Sequence, residues 1–267
     1  MTPRDDTNSS RKGPLEAQAA QAVAEENAAS EADREDASGL PNIPLLDDAI
    51  DHPTEVRPTW RGWIHAGTFP LAIALGVVLI CLAQGGVAKA ASAVFMATSL
   101  LLFGNSALYH RFDWKPRTKR LLKRIDHANI FLLIAGTYTP LSLLALPPEK
   151  GLLLLALVWG GALVGIGFRV FWISAPRWLY VPIYVALGWA AVMYLGDLLA
   201  ASVPMMVLVL VGGILYTAGA VVYGLKRPNP FPGRFGFHEI FHSCTVLAFG
   251  CHWVATLLIA LAPAYNG

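Results

Sequence analysis

Seven apolar segments, each close to twenty residues long, occupy positions 67–86, 91–110, 126–146, 151–170, 178–199, 203–224 and 236–262. About 20 residues of α-helix cross the roughly 30 Å hydrocarbon core of a bilayer. In lipid every backbone amide must find its partner within the spanning element or in a closed barrel. The spacing therefore predicts an all-α membrane protein, a seven-transmembrane helix bundle. Pro147-Pro148 breaks the chain between the third and fourth segments, and Ser202-Val203-Pro204 between the fifth and sixth. The seventh segment is long enough to tilt or to begin in the headgroup zone.

Charge divides the chain in two. Thirteen of its eighteen acidic residues fall within positions 1–55, leaving Asp113, Asp126, Glu149, Asp197 and Glu239 for the remainder. The first 55 residues, rich in Ala, Glu, Asp, Ser and Asn, hold too little apolar surface to offset chain entropy and are expected to be a disordered acidic tail. Residues 56–267 form the membrane domain. No apolar stretch of the signal-peptide kind precedes residue 69, so the first span is expected to direct insertion. The connections after spans two, four and six, together with Arg57, Arg61 and Arg169 at the end of span four, carry fourteen basic residues, while the opposite ends carry only Lys89 and Lys150. By the positive-inside rule the N-terminus lies in the cytoplasm and the C-terminus outside.

This parity brings four costly side chains to one face. His110 ends span two, Asp126 begins span three, and His238 and His242 occupy the first turns of span seven. Imidazole and carboxylate are expensive in lipid, so their convergence marks a functional site. His238-Glu239-Ile240-Phe241-His242 has the i, i+4 spacing that puts both rings on one helical face, as metal chelation requires. Three imidazole nitrogens would leave an open coordination position, the mark of a catalytic rather than a structural ion. The HExxH pattern also fits zinc proteases, with Glu239 as the base, but no acidic residue follows it and the third histidine of that pattern is missing. His252 lies roughly 15–21 Å along the helix from the pair. His110 is thus the expected third ligand, with His127 as its understudy among the spanning histidines. Asp126 could orient and deprotonate a water. It could equally sit as a carboxylate favoured by the dipole of its own helix N-terminus. Ser106, one turn before His110, either points at the same place or bonds its own i−4 carbonyl.

Ser106-Ala107-Leu108-Tyr109-His110, Asp126-His127-Ala128-Asn129-Ile130-Phe131 with Gly136-Thr137-Tyr138-Thr139-Pro140, and His238-Glu239-Ile240-Phe241-His242 before Cys251-His252-Trp253 resemble the bacterial hemolysin III proteins. These group with the progestin and adipoQ receptors and, more distantly, with alkaline ceramidases. The resemblance covers about residues 60–265. It implies a zinc ion near the cytoplasmic face held by His110, His238 and His242, with Asp126 and Ser106 as the catalytic pair and Glu239 at a variable position.

Two functions follow as expectations. The first is a zinc-dependent hydrolase whose substrate is a membrane lipid amide or ester, in a multi-pass protein of the bacterial inner membrane. The second is a non-enzymatic membrane factor, a cytolytic pore former or stress-related structural protein, in which the metal only pins helices together. A retinal-type receptor is disfavoured because the last lysine, Lys226, precedes span seven. A guanine-nucleotide-coupled receptor is disfavoured by the orientation, and a nucleic-acid role finds no support. Cys81, Cys244 and Cys251 are expected to be packing residues rather than a disulfide framework.

Overall fold

The computed structural model describes residues 58–172 and 175–266. The expected tail over residues 1–55 lies outside the described residues. Among those described, seven helices are long and apolar enough to span a membrane: α1 (Trp63–Leu82), α2 (Gly85–Arg111), α3 (Pro116–Ala145), α4 (Pro148–Phe171), α5 (Arg177–Ala201), α6 (Val203–Leu225) and α7 (Phe237–Leu261). The count and order agree with the apolar segments.

The helix starts follow from local chemistry. Pro116 and Pro148 open α3 and α4, where the missing amide hydrogen costs nothing and the fixed φ suits the first turn. Ser202 caps α6, its hydroxyl accepting from the Met205 amide at 3.3 Å. Gly62 (φ +80°) precedes α1 and uses the left-handed conformation that glycine tolerates.

Several helices begin earlier than hydropathy predicts, α2 at Gly85 rather than 91 among them, and two of these early starts bear on the site. α3 starts ten residues before position 126, because Arg117, Lys119, Arg120, Lys123 and Arg124 already lie in helix ahead of the apolar stretch. Its 30 residues reach about 45 Å, well beyond the hydrocarbon thickness. α1 starts at Trp63 rather than 67, which brings His65 into a spanning helix.

α3 is the centre of the bundle, packed by α2 and α4 along its length and touched by α5 and α7. Its Phe131, Leu133, Ala135, Tyr138, Leu141 and Leu144 are buried. Close approach is arranged with small residues: Gly136 leaves room for Thr98 of α2, and Gly165 of α4 leaves room for the Phe131 ring. Asn105 reaches from α2 to the Leu122 carbonyl at 3.3 Å, and Asn129 from α3 to the Leu101 carbonyl at 2.9 Å. These amides fix the register of α2 against α3. Outward-facing Leu71 and Val77 of α1 and Leu152, Leu163 and Val164 of α4 are exposed, as a lipid-facing surface requires.

α5 is not continuous. Its α-helical halves, Arg177–Gly188 and Leu195–Ala201, flank a 3-10 turn over Ala190–Tyr194. The Tyr138 hydroxyl of α3 fills the break, donating to the Gly188 carbonyl at 2.7 Å and accepting from the Ala191 amide at 2.8 Å. At the same end of the bundle as the α3–α4 turn, Lys150 donates to both carboxylate oxygens of Asp197 at 2.8 Å. The Leu144 carbonyl there accepts from the Ala264 and Tyr265 amides at 3.0 Å. The three cysteines are free thiols.

Candidate metal centre

At the other end, α2 and α7 bring three imidazoles together. His110 is the last residue but one of α2, and the α2–α3 amide clasps hold that end of the helix beside the start of the apolar part of α3. His238 and His242 lie one turn apart on α7. One ring nitrogen from each of the three lies within 4.8 Å of the other two. The Nε2 atoms of His110 and His238 face each other at 3.2 Å. The ring centroids of His242 are 5.2 Å from His110 and 4.5 Å from His238. His110 and His242 are buried, and His238 is partly so.

This donor set fits a cation. Two neutral imidazoles meeting nitrogen to nitrogen can form only one hydrogen bond, whereas an ion between three of them can use a lone pair from each ring. The three histidines could therefore hold a metal ion.

Asp126 enters from α3, its Oδ2 3.9 Å from His110 Nε2 and its side chain 18% exposed. The Ser106 hydroxyl hydrogen-bonds the Asp126 carboxylate, which it reaches from one turn before His110. The serine thus points at the site, the first of the two alternatives its position allowed. The carboxylate is beside the imidazole group, not among its ligand atoms.

Several residues sort differently from the expectations. His127 turns away: its Nδ1 is 2.7 Å from the Lys123 carbonyl oxygen and its ring faces Tyr180, so the understudy is not brought to the three-histidine group. His252 is buried on the same helix but stacks on Tyr216, outside the group as helix geometry required. Glu239 is committed elsewhere, one oxygen accepting from Arg61 Nε and the other from the Gly236 amide at 2.9 Å.

The expectation that His110 and His127 complete the spanning histidines needs correcting. His65 of α1 is 2% exposed, lies flat on His242 with centroids 3.9 Å apart and planes 7° apart, and meets the edge of Phe103. The early start of α1, hidden by the polar residues around Trp63, is what concealed it. Two arginines counted as orientation signals are also structural. Arg169 is fully buried beneath the Tyr180 ring, 4.1 Å from its centroid. Arg177 lies 4.6 Å over Tyr223, whose own ring stands edge to face with His238.

A seven-helix membrane bundle with a tri-histidine, carboxylate-flanked site at one end is the class that fold and site define. The profile of the family described as Haemolysin-III related matches residues 54–253, and the chain belongs to that family. Relatives include the "Hemolysin-3 homolog" of Bacillus subtilis, 38% identical over 151 residues, covering 56% of this chain and 68% of the relative. "Hemolysin-3" of Bacillus cereus is 34% identical over 172 residues, covering 63% of this chain and 75% of the relative. A shorter match, 45% identical over 49 residues and 16% of each chain, is to the "ADIPOR-like receptor IZH2" of Saccharomyces cerevisiae.

Proposed function

We propose that this protein is a zinc-dependent hydrolase of lipid amide or ester bonds in a bacterial inner membrane, with its N-terminus and its site toward the cytoplasm. The observation that carries the reading is Asp126. A carboxylate held by Ser106 lies beside three imidazoles without joining them, the arrangement of a proton acceptor next to an ion with an open position. A structural site would be expected to recruit a fourth protein ligand instead.

His110, His238 and His242 would hold the zinc. Bound there, it would supply a Lewis acid that polarises the scissile carbonyl and makes water acidic enough to attack near neutral pH. Asp126 takes the proton from the attacking water, and Ser106 holds the carboxylate in the orientation that accepts it. Proton return from Asp126 to the leaving amine or alkoxide completes the hydrolysis, so one carboxylate serves both half-steps. The apolar surface of the surrounding helices suits a substrate that arrives from the bilayer. The orientation rests on the basic residues of the connections at the site's end.

The test uses detergent-purified protein. Wild type is expected to hold about one zinc per chain and to cleave a ceramide-like amide or a phospholipid ester. Asp126→Ala should retain the metal and lose cleavage by a factor of about 10²–10⁴, the range for a general base. A zinc-bound wild type that cleaves neither bond class, yet melts far higher than its apo form, would favour the structural role of the metal.

A further inference from the structure

The short segment leading into α1 touches both ligand-bearing helices at the site. Gly62 packs so closely on α2 that a Cβ there would be 2.8 Å from the Cβ of His110. His65 covers the face of His242. Arg61, just before Gly62, donates from Nε to Glu239, which lies between His238 and His242 and is 1% exposed. The segment is also fastened by its backbone to the α6–α7 connection, the Thr59 amide donating to the Gly233 carbonyl at 3.2 Å and the Trp60 amide to the Arg234 carbonyl at 3.3 Å.

Glu239 is the third residue of α7. An acid at that position can accept from the cap amide and is favoured by the helix dipole, and its bond to the Gly236 amide does this. Neither effect calls for a guanidinium from outside α7. The first turn of any helix leaves its leading amides without intrahelical partners and is the part that frays. His238 is only the second residue of α7, so half of the paired ligand set sits in that turn. Ligand distances at a metal site tolerate only about 0.2 Å of error.

We propose that Arg61, acting through Glu239, is a positioning residue for the metal centre. It locks the rotation of the first turn of α7 and thereby the angle at which His238 and His242 meet His110. The proposal rests on the reading that these three histidines bind zinc. Glu239, which a protease-like reading of HExxH would make a base, is instead the handle by which the segment before α1 holds the ligand helix. His65, flat against His242, restrains the second ring in the same way.

The experiment measures zinc affinity of the full-length, detergent-solubilised protein by competition with a chelator, and melting temperature with and without zinc. Arg61→Ala is expected to weaken zinc binding about 10- to 100-fold, the effect typical of partners that orient metal ligands, with Arg61→Lys losing less. Glu239→Gln keeps an acceptor for the Gly236 amide but loses the ion pair, so it should match Arg61→Ala. The double variant should be no worse than either single, because both remove one interaction. The apo melting temperature should fall where Glu239, 1% exposed, loses its partner, but the zinc-loaded form should lose more, so that the zinc-induced rise shrinks. Wild-type zinc affinity in Arg61→Ala and Glu239→Gln would overturn the proposal. So would equal losses in apo and zinc-loaded melting temperatures, the pattern of a merely structural pair. A wild type that binds no zinc would overturn the metal reading and the positioning role together. That result is distinct from one in which wild type and both variants bind alike. If Arg61→Ala does not fold, Glu239→Gln decides the question.

Discussion

His242 and His252 lie ten residues apart on α7, both less than a tenth exposed, and their surroundings differ in kind. His242 has imidazoles on several sides, His110 and His238 tilted against it by 60° and 57° and His65 face-on, with a carboxylate close to the group. Among the described residues His252 has one aromatic partner, Tyr216, at 5.6 Å and 22°, and it packs against α6 where Gly212 leaves room for its ring. Its Nδ1 has no hydrogen-bond partner among the described residues. Burial of a histidine is therefore not what makes a ligand. Convergence of nitrogen lone pairs from more than one helix is what could hold an ion, and among the described residues the end of α7 that faces His110 provides it.

The largest effect should come from dismantling one side of this contrast. Replacing both His238 and His242 by Ala, or His110 alone, should abolish metal binding, read as zinc per mole of purified protein. His252→Ala should leave that stoichiometry unchanged while lowering stability by about 2–5 kcal/mol, the range for truncating a large buried side chain to Ala. Loss of metal in His252→Ala equal to that in His242→Ala would erase the distinction between the two. A smaller effect is expected at Gly212. A Cβ there would lie 2.6 Å from His252 Nε2, so Gly212→Ala should cost about 1–3 kcal/mol by overpacking, with metal content intact. The smallest should come from the far end, where Lys150 and Asp197 form an exposed pair. Lys150→Ala should leave melting temperature and metal content within error, since such pairs contribute little in high dielectric.

Much of this was legible in the residues because the bilayer is a demanding solvent. Spans had to be about 20 residues long, and parity then required His110 and the α7 pair to share an end. The 3.2 Å approach of their nitrogens confirms that no span was miscounted between them. Ser106 and Asp126 were legible for a related reason, since both lie within a turn of positions that the parity argument fixed. What hydropathy could not show were helical turns that continue through charged or mixed residues. The basic start of α3 and the Trp63-Ile64-His65 turn of α1 both fall below an apolar threshold although their backbones are helical. His65 was lost for that reason. Arg61 and Glu239, 178 positions apart, carry no local signal of their contact, and nothing in the residues around Arg169 signals its burial beneath Tyr180.

The break in α5 has a consequence of its own. Within a membrane no water is at hand to satisfy an interrupted helix, so the repair must travel with the fracture. Here the repair is one phenol on α3, bonded to both sides of the gap. The two helices are thereby riveted at a point deep in the bundle, on the same rod that carries Asp126. Bending α5 at its weakest place means either exposing bare amide and carbonyl to hydrocarbon or dragging α3 along. The discontinuity that would make α5 a free hinge in water makes it, in lipid, a part of α3's scaffold.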